Sequence, residues 1–231
     1  MQQIYGLIVA AGSGSRFGGQ IPKQYQQVLG KSILAHSVAR LNTPDVLDLT
    51  LVLAADDDFI DKTPLEFWSS IHRTTGGRER WQSVWAGVRA IRARGAKDDD
   101  WVLIHDAARP CLPMQDLQNI LHYTGDAQGV ILASPVVDTL KFAQDNHIVR
   151  TIDREHLWQA LTPQMFRLQV LEQVLDFVQQ HNLSITDEAS ALEQMGKPVA
   201  IIQGSKMNMK LTYADDLVLI EAILARYFLD V

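Results

Sequence analysis

A chain of 231 residues, 47% hydrophobic and 21% charged, can form one large α/β domain or two small ones and bury roughly 70% of its unfolded surface. No apolar run approaches the ~20 residues of a membrane span, so a membrane protein is not expected. A formal charge of −6 argues against broad nucleic-acid binding and leaves room for a local basic pocket that takes a small anion. Cys111 is the single cysteine, which excludes an intramolecular disulfide and a thiolate-rich zinc site, and the seven histidines show no HExxH spacing.

The opening "MQQIYGLIVAAG" has no basic start and its short apolar run breaks at Gly12, so it reads as a first strand and not as a signal peptide, and a cytoplasmic protein is expected. From there, apolar runs of strand length alternate with segments of helical period. Strands are expected over 4–9, 49–53, 71–74, 101–105, 130–133 and 199–202, and helices over 33–41, 80–94, 115–123, 168–180 and 214–226. This is the pattern of a single-domain, Rossmann-like α/β fold over 1–231: a mostly parallel twisted sheet flanked by helices. No repeat or linker divides it. The stretch 138–154, "DTLKFAQDNHIVRTIDR", has β-branched residues on both sides of the turn-like "QDNH" and little helical period, so a projecting hairpin arm is expected there. An isolated two-stranded ribbon is marginally stable, which makes this arm a candidate contact with a second subunit.

After the first strand comes "AAGSGSRFGGQIPKQY". It is not a Walker loop, because no Gly-Lys-Ser/Thr closes it. Nor is it a dinucleotide fingerprint: Phe17 stands where a small residue is needed, Gly18, Gly19 and Pro22 discourage a following helix, and no carboxylate follows over 31–37. A long glycine-rich loop at the end of a strand can turn several N–H groups toward phosphates. Arg16 and Lys23 add two cations to its rim, which suits a triphosphate attacked at its α-phosphorus. The plainer reading is a glycine turn carrying a solvated arginine and lysine.

Further on, "TTGGRERWQSVWAGV" places Gly76 and Gly77 before a helix carrying Ser83, and "WVLIHDAARPCL" places Asp106 at the carboxyl edge of a strand, where open α/β sheets bind ligands. A carboxylate beside a triphosphate can hold Mg²⁺ directly or through water; alternatively Asp106 caps a turn before Arg109 and Pro110. His105 alternates to the other face of the strand and is assigned a structural role. In the second half, "PVVDTLK", "IDREHLWQALTPQ", "ITDEASALE" and "NMKLT" supply Thr139, Lys141, Arg154, Thr162, Thr186 and Lys210. Each alone has a plain reading, such as Thr186, Asp187 and Glu188 capping a helix or Lys210 as a surface lysine.

Together these strings resemble the sugar-nucleotidyltransferase superfamily, and "PKQY" and "HDAARP" resemble its 2-C-methyl-D-erythritol 4-phosphate cytidylyltransferase family. The resemblance runs from Leu7 to Thr212. It implies a homodimer that transfers CMP from CTP to a sugar-alcohol phosphate with Mg²⁺, in the non-mevalonate route to isoprenoid precursors. It also implies roles: Arg16, Lys23 and Lys210 in catalysis; Ala10, Ala11, Gly12, Gly14, Gly77 and Ser83 in nucleotide binding; Arg109, Thr139, Lys141, Arg154, Thr162 and Thr186 in binding the second substrate; Asp106 in holding the metal. Arg78 departs from the family, several of whose members have an acidic or small polar residue there. A ribitol 5-phosphate cytidylyltransferase shares the loop but usually lacks Lys141 and the Asp187-Glu188 pair. A non-catalytic nucleotide sensor would have no reason to keep Arg16, Lys23, Asp106 and Lys210 together.

Overall fold

The computed structural model describes residues 2–12, 14 and 17–229. Its elements in chain order are β1 (Ile4–Val9), β2 (Gln27–Val28), β3 (Lys31–Ser32), α1 (Ile33–Leu41), β4 (Leu49–Leu53), β5 (Ile71–Thr75) and α2 (Arg80–Ala93). They continue with β6 (Trp101–Asp106), α3 (Met114–Leu121), β7 (Gly129–Pro135), β8 (Leu140–Gln144), β9 (His147–Ile152) and β10 (Trp158–Arg167). The chain ends with α4 (Leu168–His181), α5 (Glu188–Gln194), β11 (Val199–Gln203) and α6 (Asp216–Leu229).

Seven strands form one sheet in the order β11-β7-β10-β6-β1-β4-β5. The β6-β1-β4-β5 portion is parallel, as is the β11-β7 pair. The expected mostly parallel sheet is therefore present, with one strand the sequence reading did not foresee: β10, antiparallel to both β6 and β7. Pro163 and the polar Gln159 and Gln164 hide it, because an internal proline argues against a central strand. The β10–β7 ladder shifts register between Ala160 and Gln164, and Pro163 falls in that interruption, where its missing N–H breaks no paired position.

Alternation along β1 sends the fully buried Leu7 and Ile8 to opposite faces of the sheet. On one face α1 and α3 lay Leu34, Val38, Leu117 and Ile120 against Ile8, Leu51 and Leu103. On the other, α2, α4 and α5 lay Val84, Val88, Leu171, Val174 and Leu192 against Leu7, Val52 and Val102. Each such side chain contributes about 1.5–3 kcal/mol on burial. A third cluster packs Ile220 and Leu224 of α6 against Val28, Ile33, Cys111 and Leu211, and so brings the segment that carries Lys210 back to the end of β6.

From β1 the chain passes through α1 to β4 on one side, then through β5 and α2 to β6 on the other side of β1. That reversal opens a crevice at the carboxyl ends of β1 and β6, the place where open α/β sheets take ligands. The arm forms as expected within 138–154: β8 and β9 pair antiparallel as a separate two-stranded sheet. Asp145 and Asn146 turn it with φ of 48° and 62°, the left-handed pair that a two-residue hairpin loop requires.

Candidate active site

The crevice holds a cavity lined by Ala10, Ala11 and Gly12 after β1, by Asp106 to Ala108 at the end of β6, by Gly77, Arg80 and Ser83, and by Lys23, Gln24 and Lys210. The loop is braced from within. The buried Gln24 amide donates to the Ala10 carbonyl at 2.8 Å and reaches the Gly12 carbonyl at 3.5 Å. Gly14, at φ +63°, lies where a Cβ would press on the Lys23 side chain. The Lys23 ammonium donates to the carbonyl of Leu211 at 2.9 Å, tying this loop to the residue after Lys210. Arg16 lies outside the described residues.

The opposite wall is the turn between β5 and α2. A Cβ on Gly76 would come within 2.6 Å of Ser83 Oγ and 2.7 Å of the Ala11 Cβ, so glycine is what lets the two walls approach. Ser83 is buried, and its hydroxyl accepts from Gly77 N–H at 3.2 Å while facing the Glu79 carbonyl at 3.3 Å. In this state Ser83 shapes the turn that Gly77 and Arg78 present to the cavity.

Four charges meet at the end of β6. Lys210 Nζ lies 2.6 Å from Asp106 Oδ2, Arg80 Nε lies 3.3 Å from Asp106 Oδ1, and Arg80 Nη1 donates to both Glu188 oxygens at 2.7 and 2.8 Å. Burial alone would raise the Asp106 pKa, but Arg80, Lys210 and Arg109 together outweigh it and hold this carboxyl well below the usual carboxylate range. Asp106 is ionised at neutral pH.

Behind Asp106 runs a neutral chain. Thr162 Oγ1 accepts from the Asp106 N–H at 3.1 Å and meets His105 Nδ1 at 3.0 Å, and His105 Nε2 meets the Arg109 carbonyl at 3.0 Å. A carbonyl only accepts, so the proton sits on Nε2, and Nδ1 accepts from the Thr162 hydroxyl. Burial pushes the His105 pKa down to about 4, so the ring is neutral, in keeping with a structural role. Arg109 is buried and donates from Nη1 to the Asn208 carbonyl at 2.6 Å.

Arg109, Thr162 and Thr186 line a second cavity that adjoins the first, sharing Arg80, Asp106 and Lys210 with it. Thus Lys23, Lys210, Asp106, Gly77, Ser83 and the Ala10-Ala11-Gly12 run converge on one cavity, and Arg109, Thr162 and Thr186 on its neighbour. Of the other four described candidates, Gly14 lines a separate cavity beside the glycine loop, and three stay apart. Thr139 is exposed at the root of the arm, Lys141 bonds Thr151 across it, and the Arg154 guanidinium bonds the Val137 carbonyl. Sequence reasoning passed over Arg80 and Gln24, and it weighed Glu188 as a helix-end charge and as half of the acidic pair that sets this family apart from the ribitol 5-phosphate enzymes. The signal for Arg80 was thin: a basic residue at a helix start, opposed to the helix dipole, asks for a carboxylate partner that only the fold reveals.

Among the described residues no three His, Cys, Asp or Glu side chains are grouped to cage a metal. A magnesium ion is commonly held by one or two carboxylates with substrate phosphates and water completing the octahedron. Asp106 suits that mode: it is ionised, it lines the cavity, and it meets Arg80 at one oxygen and Lys210 at the other, while each carboxylate oxygen offers two lone pairs.

An open α/β sheet whose crevice gathers a glycine loop, two lysines and an ionised aspartate defines a nucleotide-binding protein equipped for phosphate chemistry. A profile of the family described as 2-C-methyl-D-erythritol 4-phosphate cytidylyltransferase matches residues 4–226. The chain belongs to that family. Proteins of that name from Psychrobacter cryohalolentis and Pseudomonas syringae pv. tomato are 43% and 46% identical to it, over 97% and 92% of this chain and 93% and 92% of theirs. The Francisella tularensis structure of that name superposes with a TM-score of 0.83 at 34% identity, covering 96% of this chain and 100% of the other. Among the described residues no helix is long and apolar enough to cross a membrane.

Proposed function

We propose that this chain transfers CMP from CTP to the phosphate of 2-C-methyl-D-erythritol 4-phosphate and releases pyrophosphate. The observation that carries the reading is the pair of adjoining cavities sharing Asp106, Arg80 and Lys210, one lined by the glycine loop and Lys23, the other by Arg109 and Thr186. A nucleotide triphosphate in the first and an alcohol phosphate in the second would meet at the shared wall.

In that reading the acceptor phosphate oxygen attacks the α-phosphorus in line with departing pyrophosphate, so a P–O bond to the acceptor forms as the bond to the β-phosphate breaks. The attacking oxygen is already ionised at neutral pH, and no base is required. Lys23 and Arg16 meet the charge that grows on the phosphorus centre and its leaving group. Lys210 orients the attacking phosphate, and the Gly76-Gly77 turn with Ser83 reads the cytosine. Asp106 would hold Mg²⁺ on the polyphosphate, and the ion supplies charge neutralisation there.

The reading extends to a homodimer with the arm as its contact, supported by the exposure of Phe142 (49%), Ile148 (67%) and Val149 (57%) on β8 and β9. It places the protein in the cytoplasm, where CTP is supplied. The test is pyrophosphate release on mixing with Mg²⁺, each of the four nucleoside triphosphates, and either methylerythritol phosphate or ribitol 5-phosphate. Release only with CTP and methylerythritol phosphate supports it. Equal or faster release with ribitol 5-phosphate overturns the choice of substrate.

A further inference from the structure

Glu188 is fully buried, and among the described residues its hydrogen-bond partner is Arg80. A carboxylate buried to this degree against a guanidinium whose side chain is 28% exposed gives little stability that apolar side chains would not give more cheaply, so its placement asks for another reason. Arg80 supplies one. It spends Nη1 on both Glu188 oxygens and Nε on Asp106, and it lines both cavities.

Asp106 has two cationic partners of different kinds. Lys210 is a single ammonium on a flexible stem, with a side chain 36% exposed. Arg80 is a planar fork clamped at its far end by a carboxylate with no exposure. When an acceptor phosphate draws the Lys210 ammonium to itself, the contact at Asp106 Oδ2 is lost or shared. The contact at Oδ1 need not be, because its donor is anchored elsewhere.

We infer that Arg80 and Glu188 are positioning residues for phosphoryl transfer: Glu188 fixes Arg80, and Arg80 keeps Asp106 in the wall between the two cavities while Lys210 turns to the phosphate. The arrangement also ties the 186–188 segment of the acceptor cavity to the helix that follows the cytosine-facing turn. This inference rests on the transfer reading above.

The experiment compares wild type with Glu188→Gln, Arg80→Gln and the double variant by thermal melting, steady-state kinetics and a crystal structure of Glu188→Gln. Loss of a residue that orients a ligand-holding carboxylate lowers activity by about tenfold to a hundredfold. The expected result is that drop in kcat with the CTP KM changed less than about threefold, and a double variant no worse than Arg80→Gln, because the two act in series. In that crystal structure, with inorganic phosphate soaked in to draw Lys210 from Asp106, the Asp106 carboxylate should have left the position it holds in wild-type crystals soaked the same way. If a single variant does not fold, the double variant, which leaves neither charge buried alone, carries the kinetic comparison. Folded variants with kcat within about twofold of wild type, losses that multiply in the double variant, or an unmoved Asp106 overturn the inference. Failure of the transfer reading looks different: wild type itself then releases no pyrophosphate, and the position of Asp106 in Glu188→Gln still decides.

Discussion

The Lys23 ammonium donates to the carbonyl of Leu211 at 2.9 Å, joining the glycine loop to a residue 188 positions later and adjacent to Lys210. One side chain therefore sets the distance between two of the cations proposed to act on the phosphates. Lys23→Ala should lower kcat by about a hundredfold or more, as removal of one donor at developing charge does. Lys23→Arg should not restore it, since a broad fork does not replace a compact ammonium. A change confined to the CTP KM would assign Lys23 to ground-state binding only.

Turnover should require a divalent cation, because Asp106 and a triphosphate place several negative charges together. Excess chelator should abolish pyrophosphate release and added Mg²⁺ restore it. Asp106→Asn should fold and lose most activity. Full turnover in chelator would remove the metal from the reading.

The parallel half of the sheet and the arm were legible because their signals are local: apolar runs of strand length, and a "QDNH" turn whose Asp145 and Asn146 adopt positive φ. β10 was not, because its place between β6 and β7 depends on partners far away in sequence, while Pro163 argued against a strand. In the site, motif strings pointed to Lys23, Asp106 and Lys210. Arg80 was missed because its meaning lies in Glu188, 108 residues away. Thr162 lines the cavity with Arg109 and Thr186, and its hydroxyl also accepts from Asp106 N–H and meets His105, a second use that no spacing announces.

His105 gives a pH dependence with a definite sign. Its pKa falls from 6.5 to about 4 on burial, so below pH 6.5 the unfolded chain binds a proton that the native state refuses. Its stability contribution is full above pH 6.5 and is lost as pH falls toward 4, at about 1.4 kcal/mol per pH unit inside that window. His36, also lowered by burial, acts in the same sense. Urea unfolding at pH 7.5 and 5.5 should show this loss, and His105→Asn, less stable at both, should show a smaller difference between them. An unchanged difference would mean that His105 is not held neutral.

Gly76→Ala should damage nucleotide use more than folding. Its Cβ would sit 2.7 Å from the Ala11 Cβ and 3.1 Å from the Ser83 Cβ, atoms that no side-chain rotation moves, so the two cavity walls must part. A misplacement of this order lowers kcat/KM for CTP by about tenfold to a hundredfold. Equal kinetics in wild type and variant would show that the turn does not touch the nucleotide.

Arg154 bonds the Val137 carbonyl at the root of the arm and does not line the cavity that holds Arg109 and Thr186. If it serves substrate binding, the site it completes lies on another copy of the chain, and that arrangement has a decisive test. Arg154→Ala and Lys210→Ala should each be nearly inactive as homodimers. In a mixed dimer the intact Lys210 of one subunit faces the intact Arg154 arm of the other, and one good site is rebuilt. Random exchange makes about half the dimers mixed, so about a quarter of wild-type activity should return when the two inactive proteins are dissociated and reassembled together. An arm acting on its own subunit gives no recovery, because every site in every dimer then carries one of the two lesions. Sedimentation of the same samples supplies the second check: an active monomer at assay concentration would return Arg154 to its own chain and leave the apolar arm without a partner to cover it.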